Sequence, residues 1–206
     1  MTTLVATAKP QHRTLFTALL FTSAMLSSIS GAHADTYLLE PNHSNVRFAI
    51  DHFNTSTNTG GFYNITGQLR YNPRAQTGDI SLVMPIHSLN TGNTAFDIVL
   101  KSPDFFDVER FPLASFTSTK WHFDTATDTS KVTQVDGNLT LHGETHPVTL
   151  TATKFNCYFS PIVKKSVCGG DFTTTIDRRQ WGISKYTLLG ITENVTLTIQ
   201  VEAVKQ

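Results

Sequence analysis

The sequence is short of charge, of cysteine and of long hydrophobic runs. Charged residues make up only 16% of its 206 residues, and sixteen Lys and Arg balance sixteen Asp and Glu. A partner gripped by a broad basic face, as nucleic acid is, needs surplus cations to displace counterions, so that class is excluded. The main apolar stretch, Leu15–Ile29, has fifteen residues, fewer than the ~20 that cross a bilayer. No GxSxG, no GxGxxG and no phosphate loop occur, which removes the usual signatures of an acyl-enzyme or a nucleotide site.

What is present points to one kind of chain. An apolar fraction of 39% is too high for disorder. Thr supplies 32 residues, 26 of them after position 34, and Phe supplies 14. Both favour a pleated, half-buried surface, so the expectation is an all-β domain.

Residues 1–34 hold Lys9 and Arg13 but no acid, then the apolar stretch, then Ala32-His33-Ala34. A positive start, a short apolar run and small residues at a cleavage point read as a secretory signal peptide. The expected mature chain is Asp35–Gln206, 172 residues with a charge of about −2. Both cysteines lie in it. Export places Cys157 and Cys168 in an oxidising space, and their spacing is not that of a CxxC redox pair, so they are expected to form a structural disulfide in a loop or hairpin end.

Strict alternation dominates from there on. Val46, Phe48 and Ile50 share one strand face. Ile65, Gly67, Leu69 and Tyr71 share a face within a run Phe62–Tyr71, and Ile80, Leu82, Met84 and Ile86 do so in the next strand. Ala114–Phe123 alternates throughout. Gly137–Leu141, a turn at His142–Thr145 and Pro147–Lys154 read as a hairpin. Asp171–Asp177 and Asn194–Val204 complete the set. One segment differs: Phe96, Val99 and Leu100 have helical spacing and Ser102-Pro103 ends the helix. About eight regularly spaced strands and one short helix predict a single extended antiparallel eight-stranded β-barrel, which removes its own edges and can hold one small ligand.

The chemistry-bearing residues yield little. His142 and His146 stand at i and i+4, but zinc ligation at that spacing needs a helix, and Gly143 with Pro147 makes a surface turn the expected reading, so no metal site is assigned. Asp177-Arg178-Arg179 reads as charges pairing at a strand end; its enzymatic alternative is a periplasmic hydrolase using Asp177 with a histidine. No catalytic residue is assigned.

Four blocks together resemble one family. They are His43-Ser44-Asn45-Val46-Arg47-Phe48-Ala49-Ile50-Asp51-His52; Leu100-Lys101-Ser102-Pro103-Asp104-Phe105-Phe106-Asp107 with Phe111-Pro112 and Phe116-Thr117-Ser118; Gly137-Asn138-Leu139-Thr140-Leu141-His142-Gly143 with Pro147-Val148-Thr149-Leu150; and Asp177-Arg178 with Trp181-Gly182. In order and spacing the chain resembles the YceI-like family of exported, polyisoprenoid-binding proteins, from about Tyr37 to Val204. The resemblance implies a lipocalin-like barrel around a long apolar tunnel, a periplasmic or secreted location, and a bound isoprenoid, isoprenoid quinone or similar lipid, with no other cofactor. Strand parity read on that fold gives Val46, Phe48, Ile50, Leu82, Met84, Ile86, Phe105, Phe106, Phe116 and Leu141 as lining, with the mouth under Thr94–Leu100 and Pro103–Asp107. The near-neutral charge, with Lys101 as the one base near that mouth, predicts a lipid held by burial and not by ion pairs, with transient membrane contact open as a route of loading. A stress-related barrel with a filled core is the remaining alternative, and an internal cavity separates the two.

Overall fold

The computed structural model describes residues 1–4, 34–128 and 130–206. The expected leader therefore lies, apart from residues 1–4 and Ala34, outside the described residues.

The strands in chain order are β1 (Asp35–Leu39), β2 (Asn45–His52), β3 (Ser56–Phe62), β4 (Thr66–Asn72), β5 (Thr77–Pro85), β6 (Leu89–Asn90), β7 (Leu113–Phe123), β8 (Val132–Leu141), β9 (Glu144–Ser160), β10 (Lys165–Asp177) and β11 (Asn194–Lys205). Among the described residues there is one α-helix, α1 (Thr94–Lys101). Eight strands close a barrel in the order β1-β4-β5-β7-β8-β9-β10-β11, with β1 and β11 sealing it antiparallel. The expected all-β, eight-stranded barrel with one short helix is the fold observed.

The remaining strands come from a broken edge. β11 pairs β2 over Val195–Gln200 and β1 over Ala203–Lys205. β1 and β2 are thus two halves of one line, interrupted by a 3-10 turn at Pro41–His43. Glu40 caps that turn, accepting from the backbone N–H of Asn42 and of His43 at 3.2 and 2.9 Å. Ser44, 1% exposed, bridges the gap: its hydroxyl donates to the Glu202 carbonyl and accepts from the Glu202 N–H, both at 3.1 Å. A buried hydroxyl replaces the missing ladder partner, so no backbone group is orphaned there. Past the break β2 carries β3 and then β6 outward, away from β4. The run expected over Phe62–Tyr71 is accordingly two strands, because the chain leaves β2 for β1 between Tyr63 and Ile65.

The registers explain the composition. Val46 faces Ile199, Phe48 faces Leu197 and Ile50 faces Val195, all inward. On the outer face Thr173 meets Thr198 and Thr175 meets Thr196, which is where the abundant threonines fit a pleated surface. Alternation is broken where the ladder slips. Irregularities at Ser118/Lys120 in β7 and at Asp171/Phe172 between β9 and β10 shift the pairing. So Ala114 and Phe116 face inward on even numbers, and Trp121 and Phe123 on odd ones. The uninterrupted alternation expected for Ala114–Phe123 is corrected by this bulge. The β8–β9 turn is His142-Gly143, with φ of +50° and +82°, the two-residue hairpin geometry in which glycine costs least.

Cys157 and Cys168 are bonded, Sγ–Sγ 2.05 Å, and they face each other directly across β9 and β10. The disulfide is as expected; its setting is a continuous ladder and not a loop. Past it the hairpin runs on to a tip where Phe159, Ile162 and Val163 are exposed.

Candidate functional site

The barrel interior is more closely packed in one half than in the other. In the half near β1, Tyr71, Trp121, Phe123 and Phe155 stack on one another, with centroids 5.2–6.5 Å apart. The Tyr71 hydroxyl donates to the Ser130 carbonyl. Burial pushes that phenol up to about 12. The bulge in β7 turns Trp121 and Phe123 inward, and beside the rings of Trp121 and Phe155 lies a small apolar void that shares Leu82, Phe116, Leu150 and Ile199 with the main cavity.

The other half encloses a cavity of about 290 Å³. Its deep walls come from Leu82 on β5, Phe116 on β7, Leu139 on β8, Leu150 on β9 and Ile199 on β11. Phe116 has room because Gly137 on the neighbouring strand has no side chain; a Cβ there would lie 2.3 Å from the ring's Cζ. A cavity of this size is at the lower end of those that hold small ligands, and its walls are hydrocarbon. The filled-core alternative does not fit this interior.

The mouth is built by two segments. On one side α1, capped by the Asn93 side chain, which accepts from the N–H of Ala95 and of Phe96, turns Phe96, Val99 and Leu100 over the opening, and Phe105 and Phe106 follow. On the other, residues 183–191 contribute Ile183, Lys185, Tyr186 and Ile191. The two meet where Lys185 Nζ lies 2.9 Å from Asp104 Oδ2 and the rings of Phe105 and Tyr186 lie 6.0 Å apart. Val99 and Tyr186 line the cavity yet are 44% and 43% exposed, which marks where it meets solvent.

Of the residues expected to line the interior, Val46, Phe48, Ile50, Leu82, Met84, Phe105, Phe106, Phe116 and Leu141 surround this cavity. Ile86 does not. It is 1% exposed but sits in a 3-10 turn (Ile86–Ser88) after Pro85, where strand parity no longer applies, and it packs in the core.

Reasoning from sequence missed the segment after β10. Asp177 and Arg179 do pair, in a bidentate contact with distances down to 2.7 Å, and that hydrogen bonding holds the Asp177 carboxyl below its usual range. Its bonded partners are Arg179 atoms, so the histidine that a hydrolase would need is not beside it. Arg178 turns the other way. It lines the cavity, 6% exposed, and donates to the carbonyls of Thr192, Ile183 and Lys185 at 3.2, 2.8 and 2.9 Å. Those three bonds shape the 183–192 segment. Burial lowers its pKa, partly offset by Asp177 and Glu193. With Lys185 it corrects the expectation that Lys101 is the one base near the mouth. The signal was visible: Asp177-Arg178 and Trp181-Gly182 were among the recognised blocks. Trp181, 1% exposed, donates Nε1–H to the Leu139 carbonyl at 3.1 Å. His142 and His146 flank it: the first bonds the Trp181 carbonyl at 2.9 Å and the second meets the indole edge-on. The surface turn expected there is a turn whose imidazoles pack inward.

A closed antiparallel barrel around an apolar cavity under a short helix has the lipocalin-like architecture. The YceI-like domain matches residues 37–203, and the chain belongs to that family. A UPF0312 protein of Pseudomonas putida strain W619 is 33% identical over 195 residues, 93% of this chain and 97% of that protein. Among solved structures, the YceI protein of Campylobacter jejuni superposes with a TM-score of 0.64 at 23% identity, over 76% of this chain and 90% of the other. A polyisoprenoid-binding domain from Saccharophagus degradans, implicated in plant cell wall breakdown, does so at 0.57 and 14%, over 84% and 99%.

Proposed function

We propose that the protein is an exported carrier that holds one long apolar amphiphile, of isoprenoid, isoprenoid-quinone or similar type, tail first in the barrel. The observation that carries this reading is the hydrocarbon-walled cavity of about 290 Å³ that opens under α1. The relationship to a polyisoprenoid-binding domain supports the ligand class. Each methylene moved from water contributes about 0.8 kcal/mol, so ten contribute about 8 kcal/mol. That is within the 4–15 kcal/mol that association costs. Tails shorter than about ten carbons therefore bind weakly, and affinity climbs with length until the cavity is full.

Catalysis is not part of this reading, since the one carboxylate offered for it, Asp177, is engaged by Arg179. Export to the periplasm rests on the leader-like residues 1–34 and on the cystine, which an oxidising compartment maintains.

Native mass spectrometry of protein purified from its own host tests the ligand. The expected result is a complex that releases a lipid and a mature chain beginning near Asp35. Delipidated protein with no affinity for any alkyl or prenyl chain overturns the proposal.

A further inference from the structure

Arg178 is buried at the mouth end of the cavity, and among the described residues no carboxylate is in contact with it. The two acids beside it, Asp177 and Glu193, lie 2.7 and 3.7 Å from Arg179 instead. The other cation in the lining, Lys185, is held by Asp104. Arg178 itself bonds only backbone carbonyls, through one hydrogen on Nε, one on Nη1 and one on Nη2. A guanidinium carries five N–H donors in a fixed fork. Two are therefore uncommitted, one on each terminal nitrogen, on a side chain that is 6% exposed and lines the pocket. Buried donors without acceptors and a buried cation without an anion are both costly, and one oxyanion would satisfy both.

We propose that Arg178 binds the head group of the lipid, and that this head is an oxyanion, a carboxylate or a phosphate, on a single apolar tail. This rests on the carrier reading above and goes past it. It also replaces recognition by burial alone with two separable parts: hydrocarbon contact for the tail and a charged fork for the head. Because the fork is shielded from water, added salt weakens it little. The absence of a salt effect is therefore no argument against it.

The test is a set of ligands with one tail and four heads, titrated against the delipidated, disulfide-intact protein: hexadecanol, palmitamide, palmitate and hexadecyl phosphate. A charge-assisted hydrogen bond contributes about 1.5–3 kcal/mol, so the two anions should bind at least about tenfold tighter than the alcohol. Their ratio then tells carboxylate from phosphate. Arg178→Gln should lose the advantage of the anions while keeping its affinity for hexadecanol. Lys154→Gln, which removes a cation paired with Asp171 and outside the cavity lining, should keep both. Equal binding of all four heads overturns the inference and leaves the carrier standing; failure of all four to bind overturns the carrier as well. An advantage that survives Arg178→Gln, or that disappears in Lys154→Gln, also overturns it. Arg178 shapes the 183–192 segment, so the Gln variant can fail to fold. A measurement on the unaltered protein covers that case: palmitate labelled with ¹³C at its carboxyl should titrate at lower pH when bound than when free. A bound carboxyl that titrates at the free pH or above overturns the proposal.

Discussion

Adding one methyl group at Gly137 should both destabilise the protein and close part of its cavity. Gly137 lies on the inner face of β8, under the ring of Phe116. A Cβ built there comes within 2.3 and 2.5 Å of ring carbons and 2.6 Å of the Thr117 carbonyl oxygen. The ring can yield, because the cavity lies on its far side. The carbonyl belongs to the paired strand and cannot move without opening the ladder. Forced overpacking of this kind costs about 1–3 kcal/mol. For a domain of this size each kcal/mol is about 2–4 °C, so Tm should fall by about 2–12 °C. The displaced ring takes up pocket volume, so affinity for a long-chain ligand should fall together with stability. Differential scanning calorimetry and a fluorescent-lipid titration read the two effects. A second variant separates them: Phe116→Leu combined with Gly137→Ala should recover part of the stability, a coupling that distant sites do not show. Unchanged Tm and unchanged affinity in Gly137→Ala would refute the placement of Phe116 and with it the inner parity of β7 and β8.

Reducing the disulfide, or replacing Cys157 with Ser, should leave the fold intact but cost about 3 kcal/mol by loop-closure entropy for a separation of 11 residues; calorimetry with and without reductant should show a Tm lower by about 6–12 °C. Alkaline titration by ultraviolet difference absorbance should find one tyrosine ionising near pH 12. Tyr71 keeps its proton when folded and loses it near 10 when unfolded. Its contribution is complete below pH 10 and is lost as pH rises towards 12, and Tyr71→Phe should remove the late step. Trp181→Phe leaves the Leu139 carbonyl without the Nε1–H that it accepts at 3.1 Å. A loss of about 1–3 kcal/mol by chemical denaturation is expected, and a variant as stable as the parent contradicts that bond.

Most of the barrel was legible because its residues obey one local rule. Val46, Phe48 and Ile50 alternate without a fault, and each meets an apolar partner on β11. The helix declared itself by period and by Ser102-Pro103. What was not legible came from places where long-range pairing overrides local pattern. Nothing near Phe62 announces that the chain changes partners from β2 to β1; that depends on Ser44 and Glu202, 158 residues apart. The bulge in β7 turns Trp121 inward, and no turn residue marks it. Ile86 alternates correctly in the sequence and leaves the strand only because Pro85 precedes a turn. In sequence Arg178 and Arg179 read alike, as charges pairing with Asp177 at a strand end. They open a 3-10 turn (Arg178–Trp181) after β10, and only the carbonyls of the loop that follows show which of them goes in.

The seal between β1 and β11 has a consequence in time. Asp35 and Lys205, 2.6 Å apart, are separated by 170 residues, so the first strand waits for the last. Until β11 has been made and delivered, β1 and β10 each expose an open edge, and the barrel cannot close. Such non-local pairing places folding on the millisecond-to-second scale of β-barrels, well behind helical bundles of equal stability. An exported chain of the kind proposed above, carried across a membrane unfolded, would gain from that delay. Its open edges are also when it is most exposed to mispairing with its neighbours.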